Sequence, residues 1–415
     1  MQQTPSPRRP RIAVVGAFDR YNYGDVLFTA VTRAMVDDVA PGAEMRFYGL
    51  RAVDLTALGG VRTDPLRRLF HDPAHRPDAV ILAGGDVLTV RWPAMVEHLV
   101  PHWAGRIVRG VLRRMGPRAA NALCRRLMGV PSVTPWGVDP RDIDPDRPPL
   151  VFYNAVGAAG VGRYDAADQA WLRDALGRAT WLSVRDARSR DALAAIGVTP
   201  PPEAIPDSAV IMDRLLSAED RAACQTRLAQ RGDIPADRPF ICVQAGKGFV
   251  HKENGVERLA AALREVHART GLDVVSFTIG RAVGHSDQFA CAELQARLGA
   301  EPWFRVATEA LTVDETMALI AASACYMGTS LHGYVTAFAH DVPRVGMHPG
   351  VVKLAAFSRD WDMEGMAAGL TFEQTPAAAA AALATDPAAR AARREKTVGT
   401  YLDAARRGLA PLAGL

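Results

Sequence analysis

The chain has 415 residues, 49% of them apolar and 23% charged, with a formal net charge of +4. That composition excludes a disordered or fibrous protein, and the length predicts two domains. So small a charge, with no zinc-finger or RRM signature, argues against a nucleic-acid binder.

Residues 1–11 read as a disordered tail: polar, basic and proline-rich, with no apolar stretch after them of the kind a secretory signal needs. No apolar run reaches roughly 18 residues, so no membrane span is expected. The cysteines (Cys124, Cys224, Cys242, Cys291 and Cys325) stand singly with no CxxC pair, which argues against a disulfide framework or a zinc site. A cytoplasmic protein is expected, with neither metal nor cofactor.

The run Ile12–Gly16 predicts a buried strand, followed by the loop FDRYNYG and a helix over about 25–39 with Asp25 as its N-cap. Met45–Tyr48 and Ala79–Leu82 read as strands, the second ending in Ala83-Gly84-Gly85-Asp86. Residues 87–148 break the pattern. From His98 to Val138 there is no acidic residue, while Arg106, Arg109, Arg113, Arg114, Arg118, Arg125 and Arg126 interleave with Ile107, Val108, Val111, Leu112 and Met115. One or two basic amphipathic helices, inserted after a core strand, are expected here. Such a segment (100–128) can lie on an anionic membrane, at its inner face, where a lipid-linked substrate would be met. It can equally be a solvated cap over a cleft or a dimer contact.

Strands follow at 150–154 and 181–185, with Asp186 opening a helix that ends at Gly197. Beyond about 216 a second series alternates strands near 240–244, 273–279, 303–306, 324–328 and 343–347 with helices between them. Alternation of this kind predicts parallel sheets covered on both faces. The fold class is therefore α/β, with two Rossmann-like parallel-sheet domains, 12–215 and 216–375. The alanine-rich stretch 376–415 is expected as a helix packing back on the first domain.

Ligands of such sheets bind where strands run into helix N-termini. The turn Gly16–Asp25 matches neither GxGxxG nor a P-loop, and it offers Asn22 and Asp25 as sugar ligands or as an acid/base. In Gly84-Gly85-Asp86 the paired glycines let a ligand or backbone approach closely. In Ser183-Val184-Arg185-Asp186 the arginine stands at a strand end, able to fork onto a carboxylate or phosphate, or to make a structural salt bridge with an aspartate. In Gly328-Thr329-Ser330-Leu331-His332-Gly333 a histidine stands at a helix start. Lys353 and Lys247 are cations within reach of the same cleft.

Taken in order, NYGD, the strand ending in GGD, SVRDARSRDALAAIGV, IPDSAV and TSLHGYVTAFAHDVPRVGM followed by Lys353 resemble the polysaccharide pyruvyl transferases from about residue 12 to 358. The resemblance implies a GT-B-like fold and transfer of an enolpyruvyl unit from phosphoenolpyruvate to two sugar hydroxyls, forming a pyruvate ketal and releasing phosphate. It maps the donor-site arginine and histidine onto Arg185 and His332. On this reading Arg185, Lys353, Lys247 and the helix start Ser330, Leu331, Gly333 hold the donor. His332, with its near-neutral intrinsic pKa, is the acid/base or phosphate partner, Asp25 or Asp86 activates the acceptor, and Asn22, Gly84 and Gly85 bind the acceptor. Two departures stand out: Ser330 where some members carry arginine, and Asp86 where a third glycine is expected. A nucleotide-sugar glycosyltransferase, with Glu309 or Asp314 on a ribose, and a silent saccharide-binding paralogue are the rival readings.

Overall fold

The computed structural model describes residues 8–100, 102–251, 253–280, 287–307 and 311–415. The first half holds β1 (Arg11–Val15), β2 (Glu44–Gly49), β3 (Val53–Asp54), β4 (Arg62–Pro65), β5 (Ala79–Leu82), β6 (Leu150–Val156), β7 (Trp181–Val184) and β8 (Glu203–Ala204). They form one sheet in the order β3-β4-β2-β1-β5-β6-β7-β8, parallel except for the short β3. The second half holds β9 (Phe240–Gln244), β10 (Asp273–Ser276), β11 (Phe304–Val306), β12 (Cys325–Gly328) and β13 (Arg344–Gly346), all parallel in the order β11-β10-β9-β12-β13. The central strands are mostly apolar and buried on both faces, as parallel sheets with helices on each side require.

Strand order reverses between β1 and β5 in the first sheet and between β9 and β12 in the second. Crevices at such switch points are where open parallel sheets take ligands. The two crevices face one another. The helix Tyr23–Val39 leaves the first switch point and drives its N-terminus into the second half. There the Tyr23 N–H donates to the Ile279 carbonyl (3.2 Å), Asn22 bridges Gly280, and the Tyr23 and Thr336 hydroxyls lie 2.8 Å apart. One apolar core runs through both halves at this joint.

Two expectations need correcting. The first helix begins at Tyr23, so Asp25 is not its cap; it lies inside the first turn and accepts the Asn22 side-chain amide (2.9 Å). The arginine-rich stretch of the insertion folds as two basic helices, as expected, His102–Met115 and Pro117–Met128, with Pro117 opening the second after the positive-φ Gly116; Trp92–Leu99 precedes them and the short Pro140–Ile143 follows. The alanine-rich stretch is two helices, because Asp386 caps a new helix whose first residue is Pro387. Thr375–Leu383 packs on the second half, and Pro387–Leu409 reaches back to the first, where the Asn154 amide donates to the Tyr401 hydroxyl (2.9 Å).

Candidate functional site

A cleft of about 420 Å³ lies between the facing switch points. Asn22, Asp25, Gly84, Gly85, Asp86 and Arg185 line it from the first half, and Ser330, Leu331, His332 and Lys353 from the second. These ten positions come from distant segments and meet because each stands after the carboxyl end of a strand, in the turn or in the first turn of the helix that follows.

Arg185 is the centre of charge. It is buried at the end of β7, with Asp86 at 2.5 Å, Asp207 at 3.7 Å and Asp186 at 3.8 Å. Asp86 also faces the Lys353 ammonium at 3.7 Å. Burial alone would raise the Asp86 carboxyl, but Arg185 and then Lys353 override it and hold it at about 2. Asp86 therefore sits on the two cations expected to take the donor, and not on a separate acceptor side. Gly157, on the turn after β6, makes room for this pair: a β-carbon there would come within 2.4 Å of Asp86 Oδ1.

Asp207 is a site residue that reading the sequence as local elements missed. It follows β8, caps the 3-10 turn Ser208–Arg214 with one oxygen, and leaves Oδ2 buried without a hydrogen bond between Arg185 and His332. Burial pushes its carboxyl up, against the pull of Arg185. Its signal was present in IPDSAV, but an aspartate before a turn looks like a cap, and it is one.

His332 lies in the first turn of the helix Leu331–Ala339, whose N-cap is Ser330; the Ser330 hydroxyl accepts the Gly333 N–H (3.3 Å). The imidazole packs edge-on to Phe28 at 5.0 Å, and its Nε2 is 3.9 Å from Asp207, without a hydrogen-bond partner. Burial, followed by the charges of Lys353 and Arg185, lowers it to about 3, so it is neutral at pH 7 and not poised near neutrality.

Two expected donor residues fall outside the lining. Lys247 turns its ammonium over the Phe289 ring (4.9 Å), although its neighbours Gly246 and Gly248 line the cleft. Gly333 faces Tyr326 beneath the helix, where a β-carbon would meet the phenol oxygen at 2.3 Å. Of the two carboxylates considered for a ribose, Asp314 is not in the lining and Glu309 lies outside the described residues.

The second half adds a carboxyl that sequence reading passed over as a helix start. Asp287 is buried in the cleft wall, and its Oδ2 accepts from the Gln244 side chain and from the N–H groups of Ile279 and Gly280 at 2.9–3.0 Å. Burial raises it to about 6 against those hydrogen bonds. Among the described residues no group of three or more His, Cys, Asp or Glu side chains is placed to hold a metal ion.

The architecture is shared with solved structures. A putative UDP-N-acetylglucosamine 2-epimerase from Listeria monocytogenes aligns over 96% of this chain and 95% of its own, with a TM-score of 0.54 and 10% identity. The S. aureus protein MnaA, solved with UDP, aligns over 95% and 94% with the same score and identity. The Methanocaldococcus jannaschii UDP-GlcNAc 2-epimerase, in complex with UDP-GlcNAc and UDP, aligns over 92% and 94%, with a TM-score of 0.51 and 9% identity. At these identities the likeness establishes a GT-B-like fold and nothing finer. No curated protein matches the sequence. The family model for polysaccharide pyruvyl transferase matches residues 22–347, and the chain belongs to that family.

Proposed function

We propose that this protein transfers the enolpyruvyl unit of phosphoenolpyruvate to two hydroxyls of a saccharide, free or lipid-linked, giving a pyruvate ketal and inorganic phosphate. The observation that carries this reading is the convergence of Arg185, Lys353 and His332 from both halves onto one cleft. An anion with both a carboxylate and a phosphate needs two separated cationic anchors, and Arg185 and Lys353 supply them.

C3 of the donor gains a proton, and the first sugar hydroxyl adds to C2 and gives up its proton. The bond from C2 to the phosphate oxygen breaks, and the second hydroxyl closes the ketal with loss of its own proton. Asp86 must yield the two cations as the donor enters. It is then free beside the substrate, while Asp25, close to Gly85, takes the acceptor proton. Neutral His332 is a hydrogen-bond partner for the phosphate. An incoming trianion offsets Lys353 and Arg185 and draws the imidazole back toward protonation, which equips it to hand a proton on.

The test is incubation of purified protein with phosphoenolpyruvate and a panel of saccharides, following phosphate release and the sugar's mass. Acceptor-dependent phosphate, with a sugar heavier by pyruvate less one water, is expected, and His332→Gln should abolish it while leaving the fold intact. Turnover of UDP-GlcNAc without phosphoenolpyruvate would overturn the reading in favour of a nucleotide-sugar enzyme. Saccharide binding without turnover of either donor would identify a silent paralogue.

A further inference from the structure

The helices His102–Met115 and Pro117–Met128 have two apolar stripes, and only one is used. Leu112, Ala120 and Cys124 face inward and are buried against Trp92, Val130 and Val133. Asn121 locks this face: its side-chain oxygen accepts the Trp92 N–H (3.1 Å) and its amide donates to the Val133 carbonyl (2.9 Å). A solvated cap needs nothing more.

Yet Ile107, Val111 and Met115, each four residues from the next, are 63%, 51% and 40% exposed, and Leu123 and Leu127 are 37% and 72% exposed. These are five of the seven exposed large apolar side chains among the described residues. Exposed Arg109, Arg113, Arg114, Arg118 and Arg126 stand among them. Arg109 pairs with Glu97, and Arg118 lies 3.7 Å from Asp165; Arg113, Arg114 and Arg126 have no ion pair among the described residues.

We infer that this face docks on an anionic lipid surface, the apolar stripe entering the headgroup boundary and the arginines meeting lipid phosphates. Charge complementarity selects this occupant. A second copy packed face to face would set Arg113, Arg114 and Arg126 against arginines, and residues 99–137 supply no carboxylate to pair with them. The surface also adjoins the cleft, because Met95 and His98 of the helix Trp92–Leu99 line it while Glu97 of the same helix holds Arg109. On the proposed reading of the cleft, docking would bring it to a saccharide carried on a lipid.

The experiment is flotation of the full chain with vesicles of phosphatidylcholine alone or mixed with phosphatidylglycerol, beside gel filtration of the free protein. Two triple variants are compared, R113E/R114E/R126E and I107S/V111S/L127S, each checked for unchanged circular dichroism. Binding only to the anionic vesicles is expected, weakened roughly a hundredfold by the charge reversals and lost with the apolar removals. These readouts do not depend on turnover, so they fail separately from the assignment of the reaction. Absent vesicle binding, equal binding to neutral vesicles, or binding unchanged in the arginine variant would overturn the proposal. So would a wild-type dimer that the variants split without any vesicle binding, which would make the face an interface between copies.

Discussion

A β-carbon on Gly24 would lie 1.8 Å from Nδ1 of His332, so the first helix of one half is in contact with the imidazole of the other. The NYGD glycine is required by this close approach of two distant segments and not by a turn. Gly24→Ala is expected to push the imidazole aside, costing about 1–3 kcal/mol and lowering turnover at least tenfold. Gly399→Ala is the control: nothing lies within 4 Å of its β-carbon position, and the helix there should gain stability. Urea denaturation and phosphate-release assays on both variants check this, and wild-type behaviour of Gly24→Ala would remove the contact from the argument.

Asp86 faces both of the cations proposed to anchor the donor. Asp86→Asn should therefore tighten phosphoenolpyruvate binding, on the order of tenfold, because Arg185 keeps Asp207 and Asp186 as counter-charges. Calorimetry with phosphoenolpyruvate decides it. Weaker binding would show that Asp86 aims Arg185 and does not compete with the donor.

His332 titrates near 3 when folded, against an ordinary value of 6.5. Between those values the unfolded chain takes up a proton that the folded one refuses, so stability falls with pH through this window, by at most about 1.4 kcal/mol per unit from this group. Asp287 works in the opposite sense: raised to about 6 from 3.8, it keeps its proton longer when folded and adds stability as pH falls from 6 toward 3.8. His332→Gln should therefore gain on the wild type as pH is lowered. Urea denaturation at about pH 7.5 and about pH 5 measures the difference, and a pH-independent difference would contradict the burial argument.

Asp287 holds a side-chain amide and two backbone N–H groups on one oxygen. Asp287→Ala strands three buried donors and should cost about 3 kcal/mol or more, with Asp287→Asn closer to the wild type because an acceptor oxygen remains. Near-wild-type stability of the alanine variant, measured by chemical denaturation, would mean that water substitutes for the carboxylate.

Much of this architecture was legible in the sequence, because buried parallel strands are short apolar runs and their helices announce themselves through caps and periodicity. The short β3 and β4 left no such trace: two and four residues, the longer ending in Pro65, cannot show a period. Strand-end residues such as Arg185 and His332 could be picked out because topology places strand ends at a crevice. Asp207 and Asp287 could not, since each reads locally as a cap or a helix start; Asp207 meets His332 only across the two halves, and Asp287 meets Gln244 only when β9 is laid beside it. Lys247 erred the other way. Its loop position suggested a ligand cation, and the ring of Phe289, 42 positions along, claims it.

The helix Pro387–Leu409 touches both halves: Arg394 donates to the Ala339 carbonyl, Tyr401 meets Asn154, and Gly408 lies against the Trp181 ring. Domains generally fold as they leave the ribosome, N-terminal one first. Here the partner of Asn154 is made 247 residues later, after the whole second sheet. During synthesis the first sheet must wait with part of its face bare, so the birth order of the chain and the completion order of its domains run opposite to one another.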